Sequence, residues 1–339
     1  MISDENIPFE LCGNIIPVKS IHEIEKVPFF SVCIPSTNRG DTIYRALNSV
    51  ANQKNRDFEV IVVDCESEDN TVAEIERFYL SDDYQKNKFR FRFIRKNYKP
   101  LGTEDWNEPV RLSSGRYIAM LEGDDYWLPD HLENAFVAIS ENPNIGLYGS
   151  SNTYSKRHFQ GLLPNQKAKE YCYTLRGSAV PPSESIFIRC DSNQKIFKYN
   201  SELYKYSPEI GLYVDIVLKG HDLFYSQKQD VYREPSTNKD KMKTWYYFED
   251  RFTLIEQYKN YYSGTAVVKA KLYNAFVVET YAVDTKSVEK GFDLIRKLKE
   301  RIGIPITITS LCLFSFKVFY KVITMIPRRI ARKIVSKGA

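Results

Sequence analysis

The sequence is poor in the residues that form disulfide frameworks and metal sites. Its 339 residues include six cysteines and four histidines. Neither set shows the short spacing of a zinc site or a CxxC pair. Cys33 lies inside an apolar run that is typical of a core strand. We therefore expect free thiols in a reducing compartment, and not a small secreted domain held together by disulfides.

Secretory signals, repeats and low-complexity segments are also missing from the sequence. The first 28 residues hold five acidic residues, and no basic stretch precedes a long apolar run there. We therefore expect no ordinary secretory signal. With 43% hydrophobic residues, the chain can build one large α/β domain and a smaller appendage.

Excess positive charge is absent from most of the chain. The formal net charge is +5, but the residues after Glu300 contain eight basic side chains and no acidic one. Residues 1–300 therefore carry a net charge of −3. A basic domain that binds nucleic acid is not indicated, and we expect no nucleic-acid partner.

The most informative motif is an apolar run that stops on three carboxylates. Glu122, Asp124 and Asp125 come directly after the run Tyr117–Leu121. The run predicts a buried strand, and ligands of open α/β sheets bind outside the carboxyl ends of strands. Acidic side chains placed there can hold a divalent cation, which in turn binds a phosphate-bearing substrate. Alternatively, an aspartate of the motif only caps the helix that Pro129 begins.

Strand-like and helical segments alternate in front of this motif. Strands are predicted at Phe29–Pro35, Glu59–Asp64 and Phe89–Arg95. A helix is predicted after each of these strands, within residues 38–53, 72–80 and 106–113. This alternation is typical of a parallel sheet that is covered by helices on both faces. The residues alone therefore predict an α/β domain that binds a nucleotide.

Several motifs occur in a fixed order along this domain. They are IPSTNR at 34–39, ALNSV at 46–50, VVD at 62–64 and EGDDYW at 122–127, with Asn97, Gly102, Trp106, Asn107 and Gly115 between the last two. In order and spacing they resemble family 2 inverting glycosyltransferases, over roughly residues 28–240. The resemblance implies a GT-A fold, with a mostly parallel central sheet flanked by helices, and a nucleotide-diphosphate sugar as donor.

The resemblance also implies roles for individual residues. Asp124 would be the ligand of the Mn²⁺ or Mg²⁺ ion that bridges the donor diphosphate. Asp125 would lie beside the sugar as a catalytic residue, and Asp64 would hydrogen-bond the uracil ring. The other donor contacts would come from Pro35, Thr37, Arg39, Asn97, Gly102 and Glu122.

Two positions depart from the pattern of many relatives. Cys65 and Glu122 stand where those relatives have aspartate. A thiol cannot replace a carboxylate as a hydrogen-bond acceptor, whereas Glu122 keeps the negative charge on a longer side chain.

Inversion at the anomeric carbon requires a base, which takes the proton from the attacking acceptor hydroxyl. The resemblance implies an acidic residue near a helix start, eleven residues before a glycine that ends the helix. Counted back from Gly220, this residue is Glu209, and Asp215 is the reserve candidate. Alternatively, Glu209 faces solvent in the first turn of a helix, where its charge suits the helix dipole.

Tyrosines are frequent between residues 171 and 206. Aromatic rings can stack on sugar faces, but dispersed tyrosines more often lie half-buried in a core or an interface. We therefore expect a packing role for this group, whose members are Tyr171, Tyr173, Tyr199, Tyr204 and Tyr206.

The last segment has a different character. Residues 302–316 are uncharged but too few for a confident membrane span. From Ser310 onward, basic residues fall on one helical stripe and apolar residues cover the rest. This pattern predicts a helix that lies in a membrane interface and faces anionic head groups. A C-terminal helix that docks on its own domain is the alternative, and a partly inserted helix also fits the pattern.

These patterns divide the chain into four parts. We predict an N-terminal extension at 1–27, the GT-A catalytic domain at 28–240, a helical extension at 241–300 and a basic amphipathic membrane-associating tail at 301–339.

The expected protein is a metal-dependent inverting glycosyltransferase of surface polysaccharide biosynthesis. It would move a sugar from a UDP-sugar to a hydroxyl of a glycan or lipid-linked glycan, in the cytoplasm at the inner face of the plasma membrane. Two alternatives remain. One is a catalytically inactive scaffold that binds a nucleotide or a glycan. The other is a nucleotidyltransferase, although its Gly-rich basic signature is not found near the N-terminus.

Overall fold

A computed structural model describes most of the chain. It covers residues 27–98, 104–153, 160–174, 180–234 and 243–284, with the short pieces 9–11, 14–16, 296–298 and 300. Most of the predicted N-terminal extension, Gly102 and the whole predicted tail at 301–339 lie outside the described residues. The part up to Leu254 forms one compact unit, and the part from Ile255 onward forms a second.

The first unit is built around a mixed sheet. Its strands are β3 (Phe30–Ser36), β4 (Phe58–Cys65), β5 (Arg90–Lys96), β6 (Tyr117–Met120), β7 (Tyr126–Trp127), β8 (Ile145–Asn152), β9 (Gly161–Leu163), β10 (Ser185–Ile188) and β11 (Asp222–Tyr232). A separate antiparallel pair is formed by β1 (Phe9–Leu11) and β2 (Asn14–Ile16).

Helices lie between these strands along the chain. In the first unit they are α1 (Ile43–Ala51), α2 (Thr71–Tyr79), α3 (Asp82–Lys86), α4 (Asn107–Arg111), α5 (His131–Glu141), α6 (Asn165–Thr174) and α7 (Pro208–Leu218). Helix α8 (Lys243–Tyr258) begins in the first unit, and α9 (Gly264–Asp284) belongs to the second.

The strand order in the sheet is β5-β4-β3-β6-β10-β8-β11-β7, and β9 pairs with β11. Strands β3 to β6, β8 and β11 run in one direction, whereas β7, β9 and β10 run antiparallel to their neighbours. The sheet is therefore mostly parallel, as the sequence predicts. The carboxyl ends of β3, β4 and β6 meet at one edge.

The middle of the sheet is buried on both faces. Every residue of β3 and of β4 is buried, which is why both strands appear in the sequence as nearly continuous apolar runs. Helix α1 packs its apolar face on this core through Ile43, Leu47 and Val50. The predicted strands and helices are thus confirmed. The observed ends of the strands lie within a few residues of the predicted ends.

Among the residues that the structure describes, no helix combines the length and the apolar character that crossing a membrane requires.

Candidate active site

The candidate site is built on the carboxyl ends of three neighbouring strands. Ser36 of β3 lies opposite Asp64 of β4, and Cys33 of β3 lies opposite Met120 of β6. Parallel strands in this register release their following loops at the same edge of the sheet. The loops after β3, β4 and β6 therefore converge. Five of the ten predicted site residues lie in the loops after β3 and β6, and Asp64 lies at the end of β4. Pro35 itself is buried within β3.

Hydrogen bonds join the loops that follow β3 and β4. The backbone N–H of Asn38 donates to Ser67 Oγ at 2.8 Å, and the N–H of Glu68 donates back to Asn38 Oδ1 at 2.9 Å. Asn38 has a φ of 52°, a left-handed conformation that asparagine tolerates better than most residues. The Gly40 N–H donates to Asp69 Oδ2 at 3.0 Å. The two loops therefore form one fixed wall.

Asp64 is fully buried beneath this wall. Its carboxylate accepts the N–H of Ser67 at 3.2 Å and also the Ser67 hydroxyl, and Arg95 Nε lies 3.6 Å from it. Thr37 turns its hydroxyl toward the carbonyl oxygens of Ser36 and Cys65, at 2.8 and 3.3 Å. Asp64 thus holds the loop that follows its own strand.

The loop after β6 places Asp124 toward this wall. Asp124 Oδ2 lies 3.4 Å from Arg39 Nη2, and both side chains are partly exposed. Two residues at α1 hold the loop by its backbone: Thr42 Oγ1 donates to Gly123 O at 2.8 Å, and Arg45 Nη2 donates to Asp124 O at 2.9 Å. These two hydrogen bonds fix the backbone of the loop. The Asp124 carboxylate, which is partly exposed beside Arg39, can therefore meet a ligand in a defined position.

Asp125 points into the protein and contacts the end of β11. Its Oδ1 accepts the backbone N–H of Glu234 at 2.8 Å, and its Oδ2 lies 3.8 Å from Arg233 Nε. Burial raises the pKa of the Asp125 carboxyl, and the nearby charge of Asp124 adds to this effect. Asp125 therefore connects the acidic loop to the second half of the domain.

Ser183 joins the acidic loop from the other side, and no sequence pattern predicts this role for it. The backbone N–H of Glu122 donates to Ser183 Oγ at 3.0 Å, and Trp127 Nε1 donates to Ser183 O at 2.8 Å. Burial raises the pKa of Glu122 to about 8, with a further contribution from the charge of Asp125. Ser183 thus fixes both ends of the EGDDYW motif.

Glu209 lies in the same cluster of charges. It is the second residue of α7, and only 8% of it is exposed. Burial raises the pKa of its carboxyl to about 8, and the negative charges of Glu122 and Asp250 raise it further, while Arg233 opposes them. Among the described residues, no hydrogen-bond partner reaches Glu209 Oε2. A buried carboxyl with a raised pKa and an unengaged oxygen is suited to proton transfer.

Two alternative interpretations from the sequence are excluded by this geometry. Helix α5 begins at His131, and Asp130 takes its N-cap position, so neither Asp124 nor Asp125 caps it. Glu209 is buried and does not face solvent. Asp215 lies farther along α7 at a half-buried position.

Asp105 is a second residue near the site that no sequence pattern predicts. One of its carboxylate oxygens is buried without a hydrogen-bond partner among the described residues. Burial raises its pKa to about 6, and the Arg39 guanidinium opposes this shift. Of the predicted residues nearby, Asn97 is exposed just after β5. Asn107 is buried, and its Oδ1 accepts the N–H of Tyr199 at 2.8 Å.

The acidic loop presents the partly exposed carboxylate of Asp124 to a possible cation. Within the described residues, no group of three or more His, Cys, Asp or Glu side chains could hold a metal ion by itself. Mg²⁺ and similar ions are often bound by one or two carboxylates together with substrate phosphates. The partly exposed carboxylate of Asp124 fits such a shared site, whereas a permanent all-protein metal centre does not fit these residues.

The sequence and the structure were compared with known proteins. The family model for glycosyl transferase family 2 matches residues 31–197. The glucosyltransferase WfgD of Escherichia coli, named for UDP-Glc and α-D-GlcNAc-diphosphoundecaprenol, is 30% identical over 150 residues, or 44% of this chain and 56% of that protein. The chondroitin synthase of Escherichia coli is 36% identical over 110 residues, or 32% of this chain and 15% of that protein. The chain thus corresponds to only part of the length of these relatives.

Solved structures show the same fold. S. aureus TarS residues 1–349 in complex with UDP superpose with a TM-score of 0.55 and 16% identity, covering 80% of each chain. The mannosyltransferase PcManGT of Pyrobaculum calidifontis, in complex with GDP-Man and Mn²⁺, gives a TM-score of 0.56 with 13% identity and covers 88% of each chain. These likenesses confirm the predicted fold class.

Proposed function

We propose that this chain, whose residues 31–197 match the model of glycosyl transferase family 2, belongs to that family and transfers a sugar from a UDP-sugar to a hydroxyl of a lipid-linked glycan with inversion at the anomeric carbon. The observation that carries this proposal is the position of Glu209. A buried carboxyl with a pKa of about 8 lies within electrostatic reach of the acidic loop. The residues that would bind the donor and the residue that would act as the base would thereby belong to one site.

The donor side of the proposed reaction uses the wall and the acidic loop. Arg39 and Asp124 lie 3.4 Å apart and would receive the diphosphate, with Asp124 as the protein ligand of Mn²⁺ or Mg²⁺. When bound, this cation would stabilise the charge of the departing diphosphate. The proposed uracil contact of Asp64 would need one of its remaining acceptor positions, because Ser67 takes two of them and Arg95 Nε lies 3.6 Å away as an ion pair.

The acceptor side of the proposed reaction uses Glu209. The acceptor hydroxyl would attack the anomeric carbon from the face opposite the diphosphate, and the carboxylate of Glu209 would take its proton. A base whose pKa lies near the working pH contributes roughly 10²–10⁴-fold to the rate. Asp125 would hold its place beside the sugar through Glu234 and Arg233.

The names of the relatives support the choice of substrates. WfgD is named for UDP-Glc and a diphosphoundecaprenol-linked acceptor, and TarS was solved with UDP. For this chain we propose the same classes: a UDP-sugar and a sugar linked to a lipid diphosphate. An acceptor of that kind is held at a membrane, so we retain the predicted membrane-associating tail and the cytoplasmic membrane face as part of the proposal.

The rival functions differ from this one in a transfer assay. An inactive scaffold, for which Cys65, Glu122 and Glu209 are the supporting departures, would bind UDP-sugar and release no product. A nucleotidyltransferase would join a nucleoside triphosphate to a sugar phosphate and release pyrophosphate. The test is incubation with a panel of nucleotide sugars and an N-acetylglucosaminyl diphospholipid, with detection of UDP and of the extended lipid. Binding without turnover across the panel would favour the scaffold.

A further inference from the structure

The loop that precedes Glu209 is held by a buried carboxylate from α8. Asp250 accepts hydrogen bonds from the backbone N–H groups of three consecutive residues: Lys205 at 3.1 Å, Tyr206 at 2.7 Å and Ser207 at 2.9 Å. Only 4% of Asp250 is exposed. Hydrogen bonds from N–H groups to a carboxylate are among the stronger ones in proteins. The loop backbone is therefore fixed before α7 begins.

This fixed loop carries an aromatic ring that faces solvent. Tyr206 stacks on Tyr246 of α8, with ring centroids 5.3 Å apart and an interplanar angle of 19°. The two side chains are 38% and 39% exposed, whereas the neighbouring Tyr199 and Tyr204 are buried. Two parallel rings, one on a backbone held by Asp250 and one on a helix, form an ordered aromatic surface, which we call the aromatic shelf.

The position of the aromatic shelf relative to Glu209 indicates which molecule would pack on it. Tyr206 lies three residues before Glu209, and the proposed reaction requires an acceptor hydroxyl within hydrogen-bond reach of the Glu209 carboxylate. The molecule that carries this hydroxyl is a sugar, whose ring has an apolar C–H face and a polar rim. A tyrosine has the matching character, because its body is apolar and its hydroxyl is polar.

We propose that Tyr206 and Tyr246 form the acceptor subsite, on which the pyranose ring of the acceptor packs while one of its hydroxyls faces Glu209. This inference rests on the proposed function and names the part of the protein that selects the acceptor. Of the tyrosines between 171 and 206, for which the sequence favours a packing role, Tyr206 is thereby assigned to binding.

A binding experiment tests the shelf without requiring turnover. Saturation-transfer NMR in the presence of UDP and Mg²⁺ would measure the affinity of the full chain for methyl glycosides and for a short-alkyl N-acetylglucosaminyl diphosphate. We expect Tyr206→Ala and Tyr246→Ala each to weaken binding of the sugar by about tenfold, and Tyr206→Trp to retain it. The affinity for UDP should not change in any of these variants.

The control is Tyr261→Ala, which removes an exposed tyrosine (68% exposed) of the second unit and should leave both affinities as they are. Unchanged sugar binding in both alanine variants, loss of UDP binding, or no sugar binding by the unmodified chain would each overturn the shelf. Normal transfer with an unchanged acceptor KM in Tyr206→Ala would reject the shelf and keep the proposed function. Sugar binding that depends on Tyr206, without any transfer, would keep the shelf and reject the function.

Discussion

The carboxylate of Asp250 accepts a hydrogen bond from the backbone N–H of Ser207 at 2.9 Å, two residues before Glu209. The same carboxylate contributes negative charge that raises the pKa of Glu209. One residue of α8 therefore influences both the position of the proposed base and its basicity. We therefore expect Asp250 to affect the reaction as well as the fold.

Replacement of Asp250 by asparagine should change the pH dependence of turnover. The amide keeps an acceptor oxygen but loses the charge, so the pKa of Glu209 should fall and the rise of kcat with pH should move to lower pH. The maximal kcat should also decrease, because the loop is held less firmly. The measurement is a pH–rate profile, with Glu202→Gln as the control that removes an exposed acidic residue of the same segment. A profile identical to that of the unmodified chain would show that Asp250 has a structural role only.

Replacement of Asp124 by alanine should abolish transfer and leave the fold intact. Its ion pair with Arg39 is partly exposed, and such pairs contribute little to stability. Activity of the unmodified chain should disappear with a chelator and return with Mn²⁺ or Mg²⁺. The matched control is Asp130→Ala, which removes another exposed ion-paired aspartate and should remain active. Full activity in excess chelator would contradict metal dependence.

The fold could be predicted well from the sequence wherever burial of a strand determines which of its residues are apolar. β3 and β4 are buried along their whole length, so each appears in the sequence as an apolar run. The predicted ends of both strands differ from the observed ends by a single residue. The resemblance implies Glu209 through its distance from Gly220, whose φ of 99° suits the glycine that follows a helix. Neither the apolar runs nor this motif spacing requires knowledge of distant contacts.

The missed residues depend on distant contacts. Ser183 reaches Glu122 across 61 positions of sequence, and Asp250 reaches Ser207 across 43. Neither contact leaves a periodic or local signal, because each arises only when the turn before β10 packs beside the acidic loop and α8 packs beside the loop before α7. Asp105 lies in a short 3₁₀ turn, where a buried carboxylate oxygen cannot be told from an exposed one by sequence.

Glu209 should make folding stability depend on pH. Its pKa is about 8 in the folded chain, against an ordinary value of 4.5, so the folded state holds the proton more tightly. The resulting stabilisation is present below about pH 4.5 and is lost as pH rises through 8. The groups that face this carboxyl are Glu122, Asp250, Tyr199 and Arg233.

The measurement is the melting temperature of the unmodified chain and of Glu209→Gln between pH 6 and pH 9. We expect the glutamine variant to gain stability relative to the unmodified chain as pH rises, because it has no buried charge to create. A difference in melting temperature that stays constant over this range would contradict the raised pKa.

The predicted tail should bind anionic membranes through its basic residues. Each basic residue near an anionic surface contributes on the order of 1 kcal/mol, and salt screens this attraction. Replacement of six of them by glutamine should therefore move the protein from vesicles to the soluble fraction. The six are Lys317, Lys321, Arg328, Arg329, Arg332 and Lys333.

Removal of residues 303–339 extends this test. It should release the protein from anionic vesicles, while hydrolysis of the donor or transfer to a soluble acceptor persists. Neutral vesicles are the control, since they offer apolar insertion without the charge. A truncated chain that still sediments with membranes would favour the alternative, in which the tail is a helix docked on its own domain.

The central claim is most directly tested by the anomeric configuration of the product formed by the unmodified chain and by Glu209→Gln. With an α-linked UDP-sugar and a sugar diphospholipid acceptor, NMR of the purified product should show a β-linkage. Glu209→Gln should lower kcat by roughly 10²-fold or more without changing the affinity for UDP, whereas Asp215→Asn should be active. An α-linked product, or a fully active Glu209→Gln together with an inactive Asp215→Asn, would contradict this account.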